Sequence, residues 1–211
     1  LYRHGFGPSW EQMFVQSNLG VVTKAGVWLM PAPESMISMD IELENVDDLG
    51  WSVDLVAGMR RDGLLQQSPS IGSWLRGAAV LTTRKEWYDK PGALPDDVIA
   101  AIRKRFNIGW WSINLRLYGH AAVNEAAAGV IQTQFAKKSR QPFNISRWNQ
   151  GTPLSLSPGQ AAFAGVPITF PLANAAWHGG RGGHIGYSPV LPANGRAATE
   201  QFRRTYDRYR E

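Results

Sequence analysis

Apolar and polar residues alternate along two stretches of the chain, and each alternation predicts a β-strand with one covered face. In SMISMDIELE, residues 35–44, apolar side chains from Ile37 to Ile41 fall on every second position. GWWSINLRLYG, residues 109–119, shows the same alternation. A third stretch, GVVTKAGVWLM at 20–30, is β-branched and apolar with few interruptions, which predicts a buried strand.

Helical spacing of apolar residues accounts for most of the other regular sequence. The stretch 45–63 carries apolar residues on one face, with Asn45 suited to begin a helix and Gly63 suited to end it. In 94–107 the acidic residues come first and the basic residues last, as the helix dipole favours. Further helices are predicted over 68–82, 121–138 and 194–210.

The order of these elements indicates the fold class. After residue 34 come a strand, helices, a strand, a helix, a stretch over 139–182 that is mostly loop and leaves room for short strands, a short strand at 184–190 and a final helix. This order predicts an α+β fold, in which a largely antiparallel sheet is covered by helices on one side. PAPE, residues 31–34, interrupts the pattern and is the best candidate for a domain boundary.

Composition restricts the class of protein. The 211 residues are 44% hydrophobic and 18% charged, which is typical of a globular chain with one sizeable core or two small ones. Without cysteine the chain can hold neither a disulfide nor a thiolate metal site, which favours a reducing, cytoplasmic location. No apolar run approaches the roughly 20 residues of a membrane span, and no signal peptide is evident.

Charge gives little indication of a partner. The chain begins at Leu1 and stops within a predicted helix, so we expect a piece of a longer protein, and its net charge of +5 is weak evidence for an anionic ligand. Basic runs at 103–105 and 137–140 lie at predicted helix ends, where solvated cations favour the dipole. The nine tryptophans are scattered, so we expect neither nucleic acid nor a membrane as partner.

The most unusual stretch is GGRGGHIGYSP, residues 179–189, in which glycines surround His184. Glycine is costly to order and adds nothing to a core, so this composition indicates that something approaches the backbone closely. The spacing does not fit G-x-G-x-x-G, and GYSPV at 186–190 lacks the final glycine of a nucleophile elbow. The four histidines show no metal-ligand spacing. From the residues alone, a structural role for His184 stays open beside a functional one.

Four motifs together resemble the vanillyl-alcohol oxidase and p-cresol methylhydroxylase family of flavoproteins. In chain order they are FGPSWEQMFVQSNLGVVTKAGVWLMP at 6–31, GWWSINLRLYG at 109–119, GVP at 165–167 and GGHIGYSP at 182–189. Members of this family have a flavin-binding domain interrupted by a substrate or cap domain. The resemblance implies that residues 1–30 are the last helix and strand of the flavin-binding domain. It also implies that 31–211 form a cap domain that is incomplete at its C-terminus.

The resemblance implies which residues contact the FAD cofactor. In the family, the segment corresponding to SNLGVVTK runs along the flavin, which makes Asn18, Gly20, Val21, Val22 and Thr23 cofactor neighbours. For the two valines, packing in a strand core is the alternative. Both interpretations hold if backbone atoms make the contact.

His184 falls on the histidine that some members link covalently to the flavin, whereas others use a tyrosine elsewhere or have no link. The resemblance implies that Gly182 and Gly183 let the backbone approach the flavin. It also implies that Gly186 enlarges the substrate cavity, where some relatives carry an aromatic residue. Trp177 lies seven residues before His184, one more than in relatives, so the loop between them carries an extra residue.

The implied reaction is oxidation of para-substituted phenols of the vanillyl alcohol, eugenol or cresol type, by hydride transfer from the benzylic carbon to FAD. The implied partners are a small phenolic substrate, oxygen or a cytochrome as electron acceptor, and a second copy of the full-length protein. In the family, tyrosines and an arginine stabilise the phenolate form of the substrate. These residues fall outside this chain, so no catalytic residue is assigned. No metal site is assigned either. Two alternatives stay open, an FAD-dependent oxidase of a non-phenolic alcohol and a non-catalytic binding module of the same fold.

Overall fold

In the computed structural model the chain divides into two compact units, Leu1–Ala32 and Pro33–Glu211. The division falls close to the boundary expected at PAPE. That the first unit is the end of a flavin-binding domain stays a prediction. The structure describes residues 13, 14, 17–26, 28–151, 161–179 and 190–210.

The first unit does not contain the strand predicted over 20–30. Its described residues from 17 to 30 have no regular secondary structure, and Val21 and Trp28 are 88% and 94% exposed. A strand is stable only when a neighbouring strand pairs with its N–H and C=O groups. The sequence pattern identified a segment suited to a sheet, but no described neighbour pairs with it.

The second unit contains four strands and six α-helices among its described residues. Two 3₁₀ helices, at Ala162–Ala164 and Phe170–Ala176, precede the last of these α-helices. In chain order the strands and α-helices are β1 (Ser35–Leu43), α1 (Asp48–Arg61), β2 (Ser70–Ser73), α2 (Trp74–Ala78), α3 (Arg84–Trp87), α4 (Asp96–Phe106), β3 (Trp111–Gly119), α5 (Ala121–Ala136), β4 (Asn144–Asn149) and α6 (Gly195–Arg210).

The four strands form one antiparallel sheet in the order β2–β3–β1–β4. Two strand–helix–strand units, β1–α1–β2 and β3–α5–β4, interleave in this sheet, which is the split β-α-β arrangement. The predicted α+β class, an antiparallel sheet covered by helices, is therefore confirmed.

Most of the elements predicted for the second unit are confirmed, and β4 is one regular strand within the mostly irregular stretch 139–182. The prediction of a helix over 68–82 is wrong in its first part, because Ser70–Ser73 pair with β3 and the helix begins only at Trp74. Ile71 lies opposite Ile113 in this pairing. Pairing with a formed neighbour thus overrides local helical propensity. The strand predicted at 184–190 lies outside the described residues, apart from Val190.

The main core lies between the sheet and helices α1 and α5. Register places Ile37 opposite Leu117 and Ile41 opposite Ile113, and all four are at most 2% exposed. This confirms the alternation predicted for both strands. The helices contribute Leu49, Val56, Met59, Ala128, Ile131 and Phe135.

A second apolar cluster lies around α2 and α4, in the segment that separates β2 from β3 along the chain. It also takes in Trp177, so the segment that follows the second 3₁₀ helix packs on this part of the molecule. Its buried members are Trp74, Ala78, Ala79, Leu94, Ile99, Ile102, Ile108 and Trp177.

Helix α6 packs against both clusters. At its start, the N–H of Gly195 donates a hydrogen bond to Asp54 of α1 (2.7 Å). Farther along, the ring of Phe202 meets that of Trp111 edge-on, with centroids 4.7 Å apart. Near its end, Arg210 donates to the carbonyl oxygen of Leu94 (2.8 Å). The last helix therefore ties the main core to the second cluster.

We predict that Gly195→Ala destabilises the protein. A Cβ atom at Gly195 would overlap the carbonyl oxygen of Gly50, so α6 would have to move away from α1. Overpacking of this kind costs about 1–3 kcal/mol. Gly129→Ala on α5 is the matched control, because a Cβ there meets nothing within 4 Å and alanine favours a helix by about 0.5–1 kcal/mol. Thermal unfolding should show a lower Tm for the first variant and an equal or higher Tm for the second. Equal Tm values for Gly195→Ala and wild type would contradict the contact.

Candidate functional site

Alternate residues of the sheet point away from α1 and α5 and carry most of its polar side chains. The strand registers place these residues side by side across β4, β1 and β3, since directly opposed residues share a face. We call this surface the polar sheet face. Its members are Met36, Ser38, Asp40, Glu42, Ser112, Asn114, Arg116, Tyr118, Asn144, Ser146 and Trp148.

A buried ion pair lies at the centre of the polar sheet face. Nη1 of Arg116 donates to Oδ1 of Asp40 at 2.8 Å, and the Arg116 side chain is only 3% exposed. Asn114 donates to the same oxygen at 2.9 Å, and Ser38 donates to Oδ2 at 3.1 Å. The Asp40 carboxylate therefore balances the guanidinium charge and cross-links β1 to β3. Such a network fixes side chains in one geometry.

A second carboxylate of this face, Glu42, accepts two hydrogen bonds. The donors are the backbone N–H of Gly109 (2.8 Å) and the hydroxyl of Ser112 (2.7 Å). Burial raises the pKa of Glu42, although these two hydrogen bonds act in the opposite direction. Glu42 thus holds the turn before β3 against β1, in an environment that disfavours its charge.

One end of the polar sheet face is aromatic rather than charged. Met36 lies opposite Tyr118 on one side and Trp148 on the other. Partial burial raises the pKa of the Tyr118 phenol, and the charge of Arg116 opposes that rise. The phenol is therefore neutral near pH 7. Met36 is only 3% exposed, so Tyr118 and Trp148, which are partly exposed, form the accessible part of this end.

The described members of the implied cofactor set lie in the first unit. Asn18, Gly20, Val21, Val22 and Thr23 are all exposed. Val21 and Val22 are 88% and 58% exposed, so a strand core does not enclose them in this chain. No hydrogen bond joins the backbone of residues 20–23 to another described residue. This open backbone fits a segment whose N–H and C=O groups serve a planar ligand.

The other implied residues, Gly182, Gly183, His184 and Gly186, lie outside the described residues. The described chain before them ends near Trp177, which is 7% exposed and belongs to the second cluster. Sequence reasoning singled out Trp177 only by its spacing from His184.

Sequence reasoning missed the ion pair and Glu42. A signal was present, because Asp40 and Glu42 occupy alternate positions of β1, and Asn114 and Arg116 do so in β3. Alternation places each set on one face of its own strand. It does not say that the strands are neighbours or which residues lie opposite, so the pairing became visible only with the register.

Two kinds of feature do not occur in the part of the chain that the structure describes. No group of three or more His, Asp or Glu side chains is arranged to hold a metal ion there. Within the same residues, no helix combines the length and the apolar character needed to cross a bilayer.

Comparison with known proteins identifies relatives of the chain. It is 29% identical over 203 residues to the 4-cresol dehydrogenase (hydroxylating) flavoprotein subunit of Pseudomonas putida, a match that covers 95% of this chain and 38% of the relative. It is 26% identical over 113 residues to the 1'-carboxy-chondrochloren decarboxylase of Chondromyces crocatus, a match that covers 53% of this chain and 21% of that relative. No protein-family profile matches the chain.

Two solved structures share the fold. One is p-cresol methylhydroxylase with substrate bound, with a TM-score of 0.81 and 27% identity over 95% of this chain. The other is 4-ethylphenol oxidase from Gulosibacter chungangensis in complex with isoeugenol, with a TM-score of 0.80 and 29% identity over 98% of this chain. The chain spans 39% and 40% of these two proteins.

We predict a pH dependence that arises from Glu42. Because its folded-state pKa lies above the ordinary value of 4.5, the folded protein holds this proton more tightly than the unfolded chain does. The contribution of Glu42 to the free energy of unfolding therefore falls as pH rises from about 4.5 through the raised pKa. Glu42→Gln keeps an acceptor for the Gly109 N–H but does not ionise, so it should lack this fall.

Urea unfolding at about pH 4, below the unfolded-state pKa, and at about pH 8 measures the effect. The free energy of unfolding of wild type minus that of Glu42→Gln should become more negative at the higher pH. A difference that stays constant, or that becomes more positive, would contradict the raised pKa.

Proposed function

We propose that the chain, a member of the vanillyl-alcohol oxidase and p-cresol methylhydroxylase family, is part of an FAD-dependent enzyme that oxidises para-substituted phenols, comprising the end of its flavin-binding domain and most of its cap domain. The observation that carries this proposal is the fold match at TM-scores of 0.80 and 0.81 over nearly the whole chain. Both matched structures are named for phenolic compounds, p-cresol and 4-ethylphenol.

The described residues of the first unit fit a bound flavin. The backbone from Gly20 to Thr23 is exposed and makes no hydrogen bond to other described residues, so its polar groups are available to a cofactor. Asn18 precedes it and is also exposed. When bound, FAD would supply the acceptor for a hydride from the benzylic carbon.

We further propose that Gly182, Gly183 and His184 hold the flavin ring, with His184 as the site of a covalent link. Two glycines before the histidine allow the backbone to come close to a flat ligand. Gly186 leaves room for the para substituent of the substrate. These roles rest on the motif GGHIGYSP.

Within the second unit, we propose that the aromatic end of the polar sheet face contacts the ring of a phenol, through Tyr118 and Trp148, which are partly exposed beside the buried Met36. The Asp40–Arg116 pair beside it carries no net charge and is held by further hydrogen bonds. It therefore fixes the geometry of this face without adding net charge to it. Oxygen or a cytochrome is the proposed electron acceptor, and the full-length protein is proposed to form a homodimer.

The full-length protein that carries this chain provides the test of function. We predict that 4-cresol or 4-ethylphenol, added without oxygen, bleaches the visible absorption of the bound flavin. The O-methyl ethers of the same compounds should not do so, because they cannot form a phenolate. Equal bleaching by a benzylic alcohol without a phenol group would favour the non-phenolic oxidase. Purified protein that contains no flavin and cannot take it up would favour a binding module.

A second prediction concerns the covalent link. Flavin should stay with the full-length wild-type protein after acid precipitation, and His184→Ala should release it, because alanine has no nucleophilic nitrogen. The variant should still bind FAD and oxidise the phenol more slowly, since loss of the link lowers the flavin potential. His178→Ala is the matched control, since His178 is a nearby exposed histidine, and it should keep the flavin attached.

Wild-type protein that yields all its flavin to acid would refute the covalent role of His184. Flavin that stays attached in His184→Ala would mean that another residue makes the bond.

A further inference from the structure

The outward side of α5 carries almost no charge, unlike the outward side of α6. Its exposed positions are alanine, glycine, valine and threonine, apart from Glu125 and Gln132 at one edge. The exposed positions of α6, by contrast, include Arg196, Glu200 and Arg203. A helix that is apolar on all sides is normally buried on all sides. The outward side of α5 therefore has the composition of a contact surface.

The small residues of this side follow the spacing of a helix–helix contact. Successive residues are separated by four, three, four and three positions, which is the spacing of two helices packed along their length. Small side chains allow the two helix axes to approach to about 8 Å. We call this set the α5 seam, and its members, all exposed, are Ala122, Ala126, Gly129, Thr133 and Ala136.

The side chains in and beside the α5 seam are suited to burial. Val123 and Val130 flank it and are 60% and 47% exposed, so covering them removes apolar surface from water. The hydroxyl of Thr133 donates to the carbonyl oxygen of Gly129 at 2.8 Å, so this donor needs no partner across the seam. An uncharged centre with charged residues around it is the usual composition of a protein–protein interface.

Charged residues at the two ends of α5 have opposite signs. At its start, the Glu34 carboxylate accepts a hydrogen bond from the backbone N–H of Ala121 (3.4 Å) and lies 2.7 Å from Nδ1 of His120. At its end, Lys137 and Lys138 are exposed, and no ion pair joins either of them to a described acidic residue. The helix is therefore complementary to a reversed copy of itself.

We propose that α5 packs antiparallel against α5 of a second copy of the full-length protein. This arrangement places Lys137 and Lys138 of each copy beside Glu34 of the other, whereas a parallel pair would bring like charges together. A two-fold axis makes every such contact twice, so one self-complementary surface serves both copies. The inference rests on the homodimer of the proposed function and identifies the contact that forms it.

The charged ends also set the alignment of the two helices. When the lysines of one copy lie beside the start of α5 in the other, the two-fold axis passes near Gly129, so the two Gly129 residues face each other. Ala122 then faces Ala136 of the second copy. An alanine at position 129 would also fit, since the other seam residues are alanine and threonine.

Helix α5 forms the centre of the proposed interface rather than all of it. Its 16 residues span about 24 Å, whereas a stable interface buries about 800 Å² on each partner. Surface around the seam supplies the remaining area.

The first test measures the dimer Kd of the full-length protein by sedimentation over a dilution series. Ala126→Glu should raise this Kd by about tenfold or more, because it buries a carboxylate without a partner in each copy. Gln132→Glu is the matched control, since it adds the same charge to the same helix outside the seam. It should change the Kd by less than about twofold, as expected of an exposed charge.

Disulfide cross-linking tests the antiparallel order. The 211 residues contain no cysteine, and mass spectrometry of the linked peptide identifies the bond in the full-length protein. Gly129→Cys should link the two copies under mild oxidation. Ala122→Cys should not, because the two introduced residues would lie about 21 Å apart along the helices, whereas a disulfide needs Cα atoms about 4.4–6.8 Å apart.

The outcomes separate the homodimer from its contact. Wild-type protein that stays monomeric at every concentration would refute the homodimer, and with it this inference. A dimer with the wild-type Kd in Ala126→Glu, or one weakened equally by Gln132→Glu, would overturn the α5 contact alone. Cross-links at both 122 and 129 would indicate a parallel pair and overturn the proposed order. A dimer without a cross-link at 129 would overturn the alignment near Gly129.

Discussion

The pairing of β1 with β3 is the constraint on which the rest of the second unit depends. The two strands pair along their full nine residues, from Ser35 opposite Gly119 to Leu43 opposite Trp111. A shift of one residue in either strand would move its polar side chains to the helix side. Arg116 would then lie in the apolar core, where an unpaired charge costs several kcal/mol. The register is therefore set by the chemistry of both faces at once.

This pairing creates two surfaces with different physical properties. The helix side is apolar and closed by α1 and α5. The polar sheet face carries an internally balanced ion pair, a partly buried carboxylate and an aromatic end. Because the polar groups of this face already bind one another, their positions are fixed within the fold.

The segment between β2 and β3 has a supporting role. Its helices α2 and α4 form the second cluster, which holds Trp177 on one side and meets the end of α6 through Leu94 on the other. Both elements that flank the glycine-rich stretch are thus fixed to the body that carries the polar sheet face.

The sequence by itself determined the α+β class, the strands at 35–44 and 109–119, and the helices that became α1, α4, α5 and α6. These elements follow from the local periodicity of apolar residues, which is a property of one segment and does not depend on the elements that pack against it. The motifs around 6–31 and 182–189 also sufficed to identify the family. Tertiary structure alone decided that Ser70–Ser73 join the sheet and that 20–30 form no strand here, because strand formation depends on a neighbour. It also decided which residues of β1 and β3 lie opposite one another, and hence the contact between Asp40 and Arg116. The same reason explains the burial of Trp177, since a contact between residues distant in the chain leaves no period in the sequence.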